Sequence, residues 1–382
     1  MRTITQHVCG VIPPHILTRV AEQTDHTAHE AARSTLEQSR ELATGRARTH
    51  LDHNALAAKA VPPKKRRNVY DARHAFKLPG TLATSEHKPR SGDAEINEAY
   101  DGAGATFDFF AAVFGRNSID DRGMRIDSTV HYGIQFDNAL WTGHQLVFGD
   151  GDGHLFNRFT SSLDVIGHEL THGVVQYTAA LGYTGQNGAL NEHISDAFGI
   201  MVKQYKLGQT AGESDWLIGA ALLTPAVHGR AIRSLAAPGT AYDDPVLGRD
   251  PQPAHMRDYV DASADNYGVH INSGIPNHAF YLAAIALGGR TWEVLGRIWY
   301  VTLTNRLRPD ADFADFVRAT VDIAGELYGN GGRVQRIVAD AWGAVGIGVR
   351  LLSGAIRTPV SPPATRAVSN RPAAKWRQRP AY

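Results

Sequence analysis

The second half of the sequence repeats apolar residues at the three-and-four spacing of amphipathic helices, with Gly or Pro near most ends. Residues 68–160 differ, because Gly and Asp punctuate short alternating runs such as 128–136 and 145–148, which predict strands. Residues 18–60 are rich in Ala, Glu, Arg and Leu and predict one or two helices. The other predicted helices cover residues 164–180, 191–205, 276–287, 291–303, 313–328 and 334–345.

Charge is distributed unevenly along the 382 residues, although the formal net charge is only +1. Residues 1–67 carry +5 and residues 352–382 carry +6, which leaves −10 on residues 68–351. Two prolines at 62–63 and four basic residues at 64–67 predict a solvated linker. We therefore expect a leading segment that docks electrostatically on an acidic body, and a disordered basic tail.

Cysteine content and hydropathy exclude several classes of protein. The single cysteine, Cys9, cannot form a disulfide within the chain. The longest apolar run, residues 279–287, is nine residues long, whereas a membrane-spanning helix needs about 20. Pro13 and Pro14 interrupt the N-terminus, and no Sec-type signal peptide is recognisable. We expect no membrane span, and a protein that is cytoplasmic or secreted by another route.

The strongest local signal is His168-Glu169-Leu170-Thr171-His172. Residues four apart lie on one face of a helix, so both imidazoles can reach one metal ion. Such a pattern arises by chance in roughly 3% of chains of this composition, so a third ligand elsewhere is needed to support a metal site.

Glu192 offers that third ligand, since a catalytic zinc ion requires one protein group beside two histidines and an open position. It lies on the next predicted helix, twenty residues after His172. Asp196, one turn beyond Glu192, and Asn191 are placed to accept the second ring N–H groups of the two histidines. The alternative is a coincidental spacing of two solvated histidines and two surface acids.

Ordered blocks around these residues resemble the thermolysin family of zinc metallopeptidases. The resemblance covers most of residues 68–348 and implies an α+β, thermolysin-like fold with a zinc site in the cleft between two subdomains. It implies a strand-rich catalytic subdomain at 68–180, ending with the His168–His172 helix, and a helical one at 181–351. The blocks lie at residues 69–72, 78–81, 137–141, 188–192, 233–235 and 265–274.

The resemblance assigns roles at the active site of a neutral endopeptidase. One carboxylate polarises the attacking water and shuttles its proton, and two donors stabilise the oxyanion that forms on the substrate. The zinc ligands it implies are His168, His172 and Glu192. The catalytic residues it implies are Glu169 as the base, His270 and Tyr183 as the donors, and Asp265, which orients His270.

The same resemblance describes how a peptide substrate binds. An extended peptide pairs main chain to main chain with an edge strand that contains Asn138, Ala139 and Trp141. Arg233 holds the peptide carbonyl beside the P1′ residue. An apolar P1′ pocket implies cleavage on the N-terminal side of bulky apolar residues such as Leu and Phe. The positions that line this pocket are Phe159, Val165, Leu222 and Ile232, each of which is equally compatible with an ordinary core.

Residues 9–17, which contain a Pro-Pro pair, resemble the short propeptide of the protealysin-like branch of this family. They imply that residues 1–67 are a propeptide and linker, bound in cis to a precursor that processes itself. The alternatives are a disordered leader and, for Cys9, either a thiolate that contacts zinc or a small buried residue. We expect maturation within residues 50–69, where the P1′ preference nominates the bonds before Leu51, Leu56, Val61 and Val69.

Calcium is the point at which the sequence departs from the family. Thermolysin-like enzymes hold calcium near the zinc helices with a cluster of carboxylates, and calcium takes six to eight oxygen ligands. Asp164 and Asp215 remain from that cluster. The other positions of that cluster supply no carboxylate here, since they are Lys203, Leu217 and Ala220, and a position of another calcium-binding loop is Arg230. We expect no tight calcium site, with the Lys203 ammonium paired to the two aspartates instead.

Two other functions are compatible with parts of the sequence. A binding protein built on an inactive scaffold would lack Glu169, Tyr183 or His270, and all three are present. A binder of nucleic acid or anionic membranes would use residues 64–67 and the tail, which has few aromatic residues. The partners we expect are peptide and protein substrates, the propeptide itself and a protein inhibitor, with no nucleic acid and a monomeric state.

Overall fold

The computed structural model describes residues 10–23, 27–46 and 63–348. We divide the chain at residue 163: the described residues before it, called the first half, combine a mixed sheet with three α-helices, and those from it onward, called the second half, are mostly helical. The predicted order of a strand-containing subdomain followed by a helical one is therefore confirmed. The elements of the first half are α1 (Pro14–Ala21), α2 (His29–Arg46), β1 (Arg67–Asp71), β2 (Thr81–Ser85), α3 (Ala94–Phe114), β3 (Ile126–Val130), β4 (Ala139–Trp141) and β5 (Leu146–Phe148).

The five-stranded sheet has the order β2-β1-β3-β5-β4. Strands β1, β3 and β5 run parallel, while β2 and β4 pair antiparallel at the two edges. All three residues of β4 are buried, and its outer side forms an antiparallel bridge from Leu140 to Gly10. The edge strand therefore pairs with the N-terminal segment rather than with solvent.

Helix α3 corrects the prediction that residues 68–160 are strand-rich throughout. The Asp93 carboxylate caps this 21-residue helix by accepting from the Ile96 N–H, and left-handed Gly115 ends it. Gly102 and Gly104 lower its intrinsic helix propensity, so the sequence reads poorly as a helix. Packing explains Gly102, because a Cβ there would lie 2.4 Å from Cδ1 of Ile166 on the neighbouring helix.

The second half contains α4 (Leu163–Gln176) and α5 (Gly185–Leu207), which pack closely against each other. A Cβ at Gly199 of α5 would lie 2.5 Å from the Asp164 carbonyl oxygen of α4, so this close approach requires glycine. The remaining elements are β6 (Leu217–Ile218), β7 (Arg233–Ser234), β8 (Asp243–Asp244), β9 (Gly248–Arg249), α6 (Asp265–Asn272), α7 (Gly274–Leu287), α8 (Leu295–Asn305), α9 (Phe313–Tyr328) and α10 (Arg333–Ala344).

Six predicted helices of the second half are confirmed, with ends displaced by up to six residues. Helix α6 was not predicted, because residues 266–268 within it have positive φ and interrupt the helical pattern. Helix α1 begins at Pro14, earlier than the predicted start at residue 18, since proline suits the first turn of a helix.

The N-terminal segment, defined here as residues 10–46, docks mainly through apolar contacts rather than through the predicted electrostatic attraction. Five of its apolar side chains are at most 1% exposed and belong to the same continuous core as the body. Burial of such side chains contributes about 1.5–3 kcal/mol each relative to exposure. These residues are Val11, Ile12, Ile16, Leu17 and Val20.

Residues 64–67 are only partly the solvated linker that the charge pattern predicts, because Lys64 and Arg66 are exposed whereas Lys65 and Arg67 form ion pairs. The Lys65 ammonium lies 2.6 Å from Asp108, and the Arg67 guanidinium lies 2.6 Å from Glu86. Arg67 begins β1 and also stacks 3.7 Å over the Tyr100 ring. The predicted tail at 352–382 lies outside the described residues. No described helix is long and apolar enough to cross a membrane.

Candidate active site

Helices α4 and α5 bring three potential metal ligands to one buried point. His168 and His172 project from one face of α4, and their Nε2 atoms lie 3.0 Å apart. Glu192 of α5 places one carboxylate oxygen 3.5 Å from His168 Nε2 and the other 3.3 Å from His172 Nε2. Ligands at 2.0–2.1 Å around a tetrahedral zinc ion are separated by about 3.3 Å, so these residues fit zinc.

The other ring nitrogen of each histidine lies close to a side-chain oxygen, the kind of partner that a zinc-bound histidine has. His168 Nδ1 lies 2.8 Å from Asp196 Oδ1, and His172 Nδ1 lies 2.9 Å from Asn191 Oδ1. Ser195 Oγ also lies 3.1 Å from His172 Nδ1. The Nε2 lone pairs of both histidines can therefore face a metal ion that Glu192 also binds.

The carboxylates at this site are ionised despite complete burial. Burial acts to raise the pKa of Glu192, but His270, His172 and His168 outweigh it and hold the pKa at about 2. Burial likewise acts against ionised Asp196, but Arg233 and His168 hold the pKa of its carboxyl far below the ordinary value. Arg233 contacts Asp196 through two hydrogen bonds of 2.9 and 2.8 Å. The site thus presents a charged oxygen ligand to a cation.

Glu169 lies on α4 between the two histidines and is fully buried. Tyr183 and His270 both lie against Glu192, with the Tyr183 hydroxyl 3.3 Å from His270 Nε2 and His270 Nε2 3.6 Å from Glu192. The Tyr183 hydroxyl also donates to Glu192. The structure therefore brings a potential base and two potential oxyanion donors to the same cluster.

Helix α6 positions His270 through Asp265. One Asp265 oxygen lies 2.5 Å from His270 Nδ1, and the other accepts from the His270 main-chain N–H at 2.9 Å. Burial acts to lower the pKa of His270, but the Asp265 and Glu192 carboxylates outweigh it, so its pKa lies above the ordinary value. His270 Nε2 is therefore favoured as a hydrogen-bond donor.

The N-terminal segment lies along the predicted substrate edge. The Val11 N–H donates to the Ala139 oxygen at 3.0 Å. The Asn138 side chain accepts from the Ile12 N–H at 3.0 Å and donates to the Ile12 oxygen at 3.2 Å. Arg233 Nη1 donates to the Val11 oxygen at 2.9 Å. Residues 10–12 therefore make the contacts that the sequence assigned to a substrate.

The four predicted pocket residues are fully buried and belong to the same apolar core as Val11 and Ile12. Trp141, the third predicted edge-strand residue, is buried and donates its indole N–H to Gln176 at 3.0 Å. Trp141 thus fixes the edge strand to α4, while Asn138 and Ala139 provide the main-chain and side-chain contacts of the edge.

Lys203 lies between the two aspartates that remain from the calcium cluster. Its ammonium is 2.8 Å from Asp164, 2.8 Å from Asp215 and 2.7 Å from the Leu217 carbonyl oxygen. Burial acts to lower the pKa of Lys203, but the two aspartates outweigh it and raise the pKa above its ordinary value. The amine is therefore a cation at this position.

Three buried polar residues near the site were not predicted. Asn277 donates to Asp196 at 2.9 Å, and Gln252 donates to the His270 main-chain oxygen at 2.7 Å. Ser195, which contacts His172, lies inside the predicted helix beside Asp196. Its place in that block was the one available signal, since Gln252 and Asn277 both lie outside the blocks that the sequence singled out.

A buried His-His-Glu set that fits zinc, with an adjacent carboxylate and two donors, defines the class of zinc metallopeptidases. The chain belongs to the thermolysin family. The family model for the thermolysin metallopeptidase catalytic domain matches residues 39–176, and that for the alpha-helical domain matches residues 179–347. The chain is therefore a zinc-dependent endopeptidase, as its sequence predicts.

Relatives extend the similarity to nearly the whole chain. It is 50% identical to an extracellular metalloprotease of Pectobacterium carotovorum subsp. carotovorum, over 90% of this chain and 97% of that protein. It is 46% identical to protease PrtS of a Photorhabdus species, over 89% and 92%. The solved precursor of protealysin from Serratia proteamaculans matches with a TM-score of 0.81 and 47% identity, over 89% of this chain and 99% of that one.

Proposed function

We propose that this chain is the self-processing precursor of an endopeptidase that cleaves on the N-terminal side of bulky apolar residues. Zinc is held by His168, His172 and Glu192. When bound, it supplies a Lewis acid that polarises the scissile carbonyl and acidifies water. The observation that carries the precursor assignment is the contact between Arg233 and the Val11 carbonyl.

The residues around the zinc ligands transfer protons, stabilise the oxyanion and orient the ligands. Glu169 accepts a proton from the attacking water and passes it to the leaving amine. His270 and Tyr183 donate hydrogen bonds to the oxygen on which negative charge develops. Asp265 keeps His270 in the orientation and protonation state that this donation needs. Asp196 and Asn191 orient His168 and His172 through their Nδ1 atoms.

The N-terminal segment inhibits by occupying the substrate edge. A peptide that extends β4 gains main-chain hydrogen bonds, and Arg233 donates a hydrogen bond to one further carbonyl oxygen. Residues 10–12 already use these partners, and apolar contacts of α1 hold them there. Release of this segment must therefore precede binding of a substrate.

Specificity rests on the apolar pocket. Phe159, Val165, Leu222 and Ile232 supply no charged group, so a charged P1′ side chain would be desolvated without a partner. A Leu or Phe side chain of the substrate buries apolar surface in this pocket, which favours its binding. We therefore assign the preference to bulky apolar residues on the prime side.

Maturation falls between α2 and β1. Of the bonds expected from the P1′ preference, the one before Val69 is disfavoured, because Val69 is fully buried in β1 and pairs with strands on both sides. Leu51, Leu56 and Val61 lie outside the described residues, and the bonds before them remain candidates. Cys9, whose role the sequence left open, also lies outside the described residues. The Pectobacterium relative is an extracellular metalloprotease by name, which favours secretion over a cytoplasmic location.

A nucleic-acid or membrane surface at residues 64–67 is disfavoured, since Lys65 and Arg67 are paired with Asp108 and Glu86. We retain peptide and protein substrates, the N-terminal segment in cis and a protein inhibitor as partners of a monomeric enzyme.

The test combines two variants in a protease-deficient host. Wild type and Glu169→Ala are purified, and their N-termini are mapped by mass spectrometry. We expect a new N-terminus at Leu51, Leu56 or Val61 in wild type and an intact chain in Glu169→Ala. Casein fragments released by the wild type should begin mainly with Leu, Phe, Ile or Val. Unchanged processing in Glu169→Ala would assign maturation to another protease.

A further inference from the structure

Three parallel strands end at the same edge of the sheet. The residues that follow them are separate in sequence from the proposed zinc ligands. Strands β1, β3 and β5 are neighbours, so the residues that follow their carboxyl ends meet. His74 follows β1, His131 follows β3 and Asp150 follows β5. Asp93, the N-terminal cap of α3, lies against the same group.

The side chains in this group converge closely. His131 Nδ1 lies 3.0 Å from both Asp150 oxygens, and His74 Nδ1 lies 3.4 Å from Asp150 Oδ2. One ligand atom from each of the three residues lies within 4.8 Å of the other two. On its other side, His131 Nε2 lies 3.0 Å from Asp93 Oδ2.

The backbone at this edge holds both histidines in an uncommon conformation. His74 has φ 59° and His131 has φ 53°, which non-glycine residues rarely adopt. The His74 N–H donates to the His131 main-chain oxygen at 2.9 Å, which ties the two residues together. Backbone strain of about 1–3 kcal/mol per residue is found mainly at functional sites.

We propose that His74, His131 and Asp150 form a second metal site, which binds a divalent transition-metal ion such as zinc. Two imidazoles and one carboxylate suit zinc, nickel or copper better than calcium or magnesium. Asp93 accepts the Nε2–H of His131 and so directs its Nδ1 lone pair to the metal, as carboxylates do behind metal-binding histidines. Water completes the coordination, because the His74 side chain is 58% exposed.

Metal binding at this site removes a proton. Unliganded His131 lies between Asp150 and Asp93, with His74 and Glu95 also near, and these carboxylates favour its protonated form. A metal ion replaces the Nδ1 proton, so affinity should increase as the pH rises from 6 to 8. The bound ion ties three strand ends to the start of α3 and stabilises the first subdomain by mass action.

The experiment uses the full chain with Glu169→Ala, which keeps it intact, after loading with one equivalent of zinc. Zinc alone is then titrated in by calorimetry at pH 7.5. We expect a second equivalent to bind, with at least tenfold weaker binding in His74→Ala and about tenfold weaker binding in Asp93→Asn. His87→Ala is the matched control, because His87 is exposed and also has a positive φ of 65°.

A second measurement keeps the test independent of heats of binding. Excess zinc should raise the melting temperature of the parent chain and of His87→Ala, and should raise it less in His74→Ala. Equal affinity for the second equivalent in the parent and in His74→Ala would overturn the proposal, as would the absence of a second equivalent at 100 µM zinc. Neither result depends on peptidase activity, so the proposed function stands or fails separately.

Discussion

Arg233 donates a hydrogen bond to the main-chain oxygen of Val11 while its other nitrogens hold Asp196, the partner of His168. One side chain thus joins the N-terminal segment to the support of a zinc ligand. Because this hydrogen bond uses the main-chain oxygen of Val11, it depends on the backbone path of the N-terminal segment and not directly on the identity of a side chain. In the function that we propose, a substrate carbonyl and the Val11 carbonyl compete for the same guanidinium.

Displacing this contact should activate the uncleaved precursor. Val11→Asp places a charge at a fully buried position, and an unpaired buried charge costs several kcal/mol. We expect initial peptide hydrolysis by the intact chain to rise roughly tenfold or more. The matched control is Thr18→Asp, at an exposed position of α1. Equal low activity in both variants, with gels showing intact chains, would contradict the inhibitory role.

Acid should weaken docking of the N-terminal segment through His15. Neither ring nitrogen of His15 has a hydrogen-bond partner among the described residues. Burial lowers the pKa of His15 to about 4, helped by His270 and Arg233 and opposed by Asp265. The undocked segment therefore takes up a proton as the pH falls below 6.5, whereas the docked one resists protonation until about pH 4.

The free energy that favours docking of the N-terminal segment should fall by about 3 kcal/mol as the pH is lowered from 6.5 to about 4. The measurement is hydrogen exchange of residues 10–23 in Glu169→Ala at pH 7.5 and 4.5, corrected for intrinsic rates. His15→Leu should reduce the acid-induced loss of protection. Comparison with this variant isolates His15, because buried Asp137, beside α2, has a raised pKa and titrates in the opposite sense. The same loss in both chains would refute this role for His15.

Calcium should not stabilise this enzyme, because the Lys203 ammonium occupies the space between Asp164 and Asp215. The melting temperature should be unchanged by millimolar calcium. Lys203→Met leaves the buried Asp164 without its cation and should lower the free energy of unfolding by about 3 kcal/mol. Lys206→Met, at an exposed position, is the control and should have little effect. A calcium-induced rise of several degrees in wild type would contradict this account.

Removing the Asp265 carboxylate should change the pH profile as well as the rate. Asp265 raises the pKa of His270, and protonated His270 is the oxyanion donor that we propose. In Asp265→Asn the pKa falls, so the alkaline decline of kcat/KM should begin at lower pH. A uniform loss of rate with an unchanged profile would show that Asp265 acts only on the structure.

Local spacing made much of the site predictable from sequence. His168, Glu169 and His172 share one helical turn, and Glu192 with Asp196 share the next helix, so their convergence needs only two packed helices. The helices themselves have clear apolar periodicity. Sequence was sufficient here because few residues separate the groups that meet.

Contacts between distant residues were harder to predict. Asn277 reaches Asp196 across 81 positions, and Gln252 reaches the His270 carbonyl from a loop without periodicity. Helix α3 was missed because Gly102, needed for close packing on Ile166, lowers local helix propensity. The apolar docking of residues 10–46 was missed because net charge says nothing about which side chains become buried.

The central claim is that Glu169 transfers the proton in peptide hydrolysis but is not itself a zinc ligand. The most direct test measures bound zinc and peptide hydrolysis on the same preparations of wild type and Glu169→Ala, after removal of the N-terminal segment by an added protease. We predict equal zinc content in both and a loss of hydrolysis in Glu169→Ala of at least about 100-fold. Wild-type turnover by Glu169→Ala with equal zinc would contradict the account.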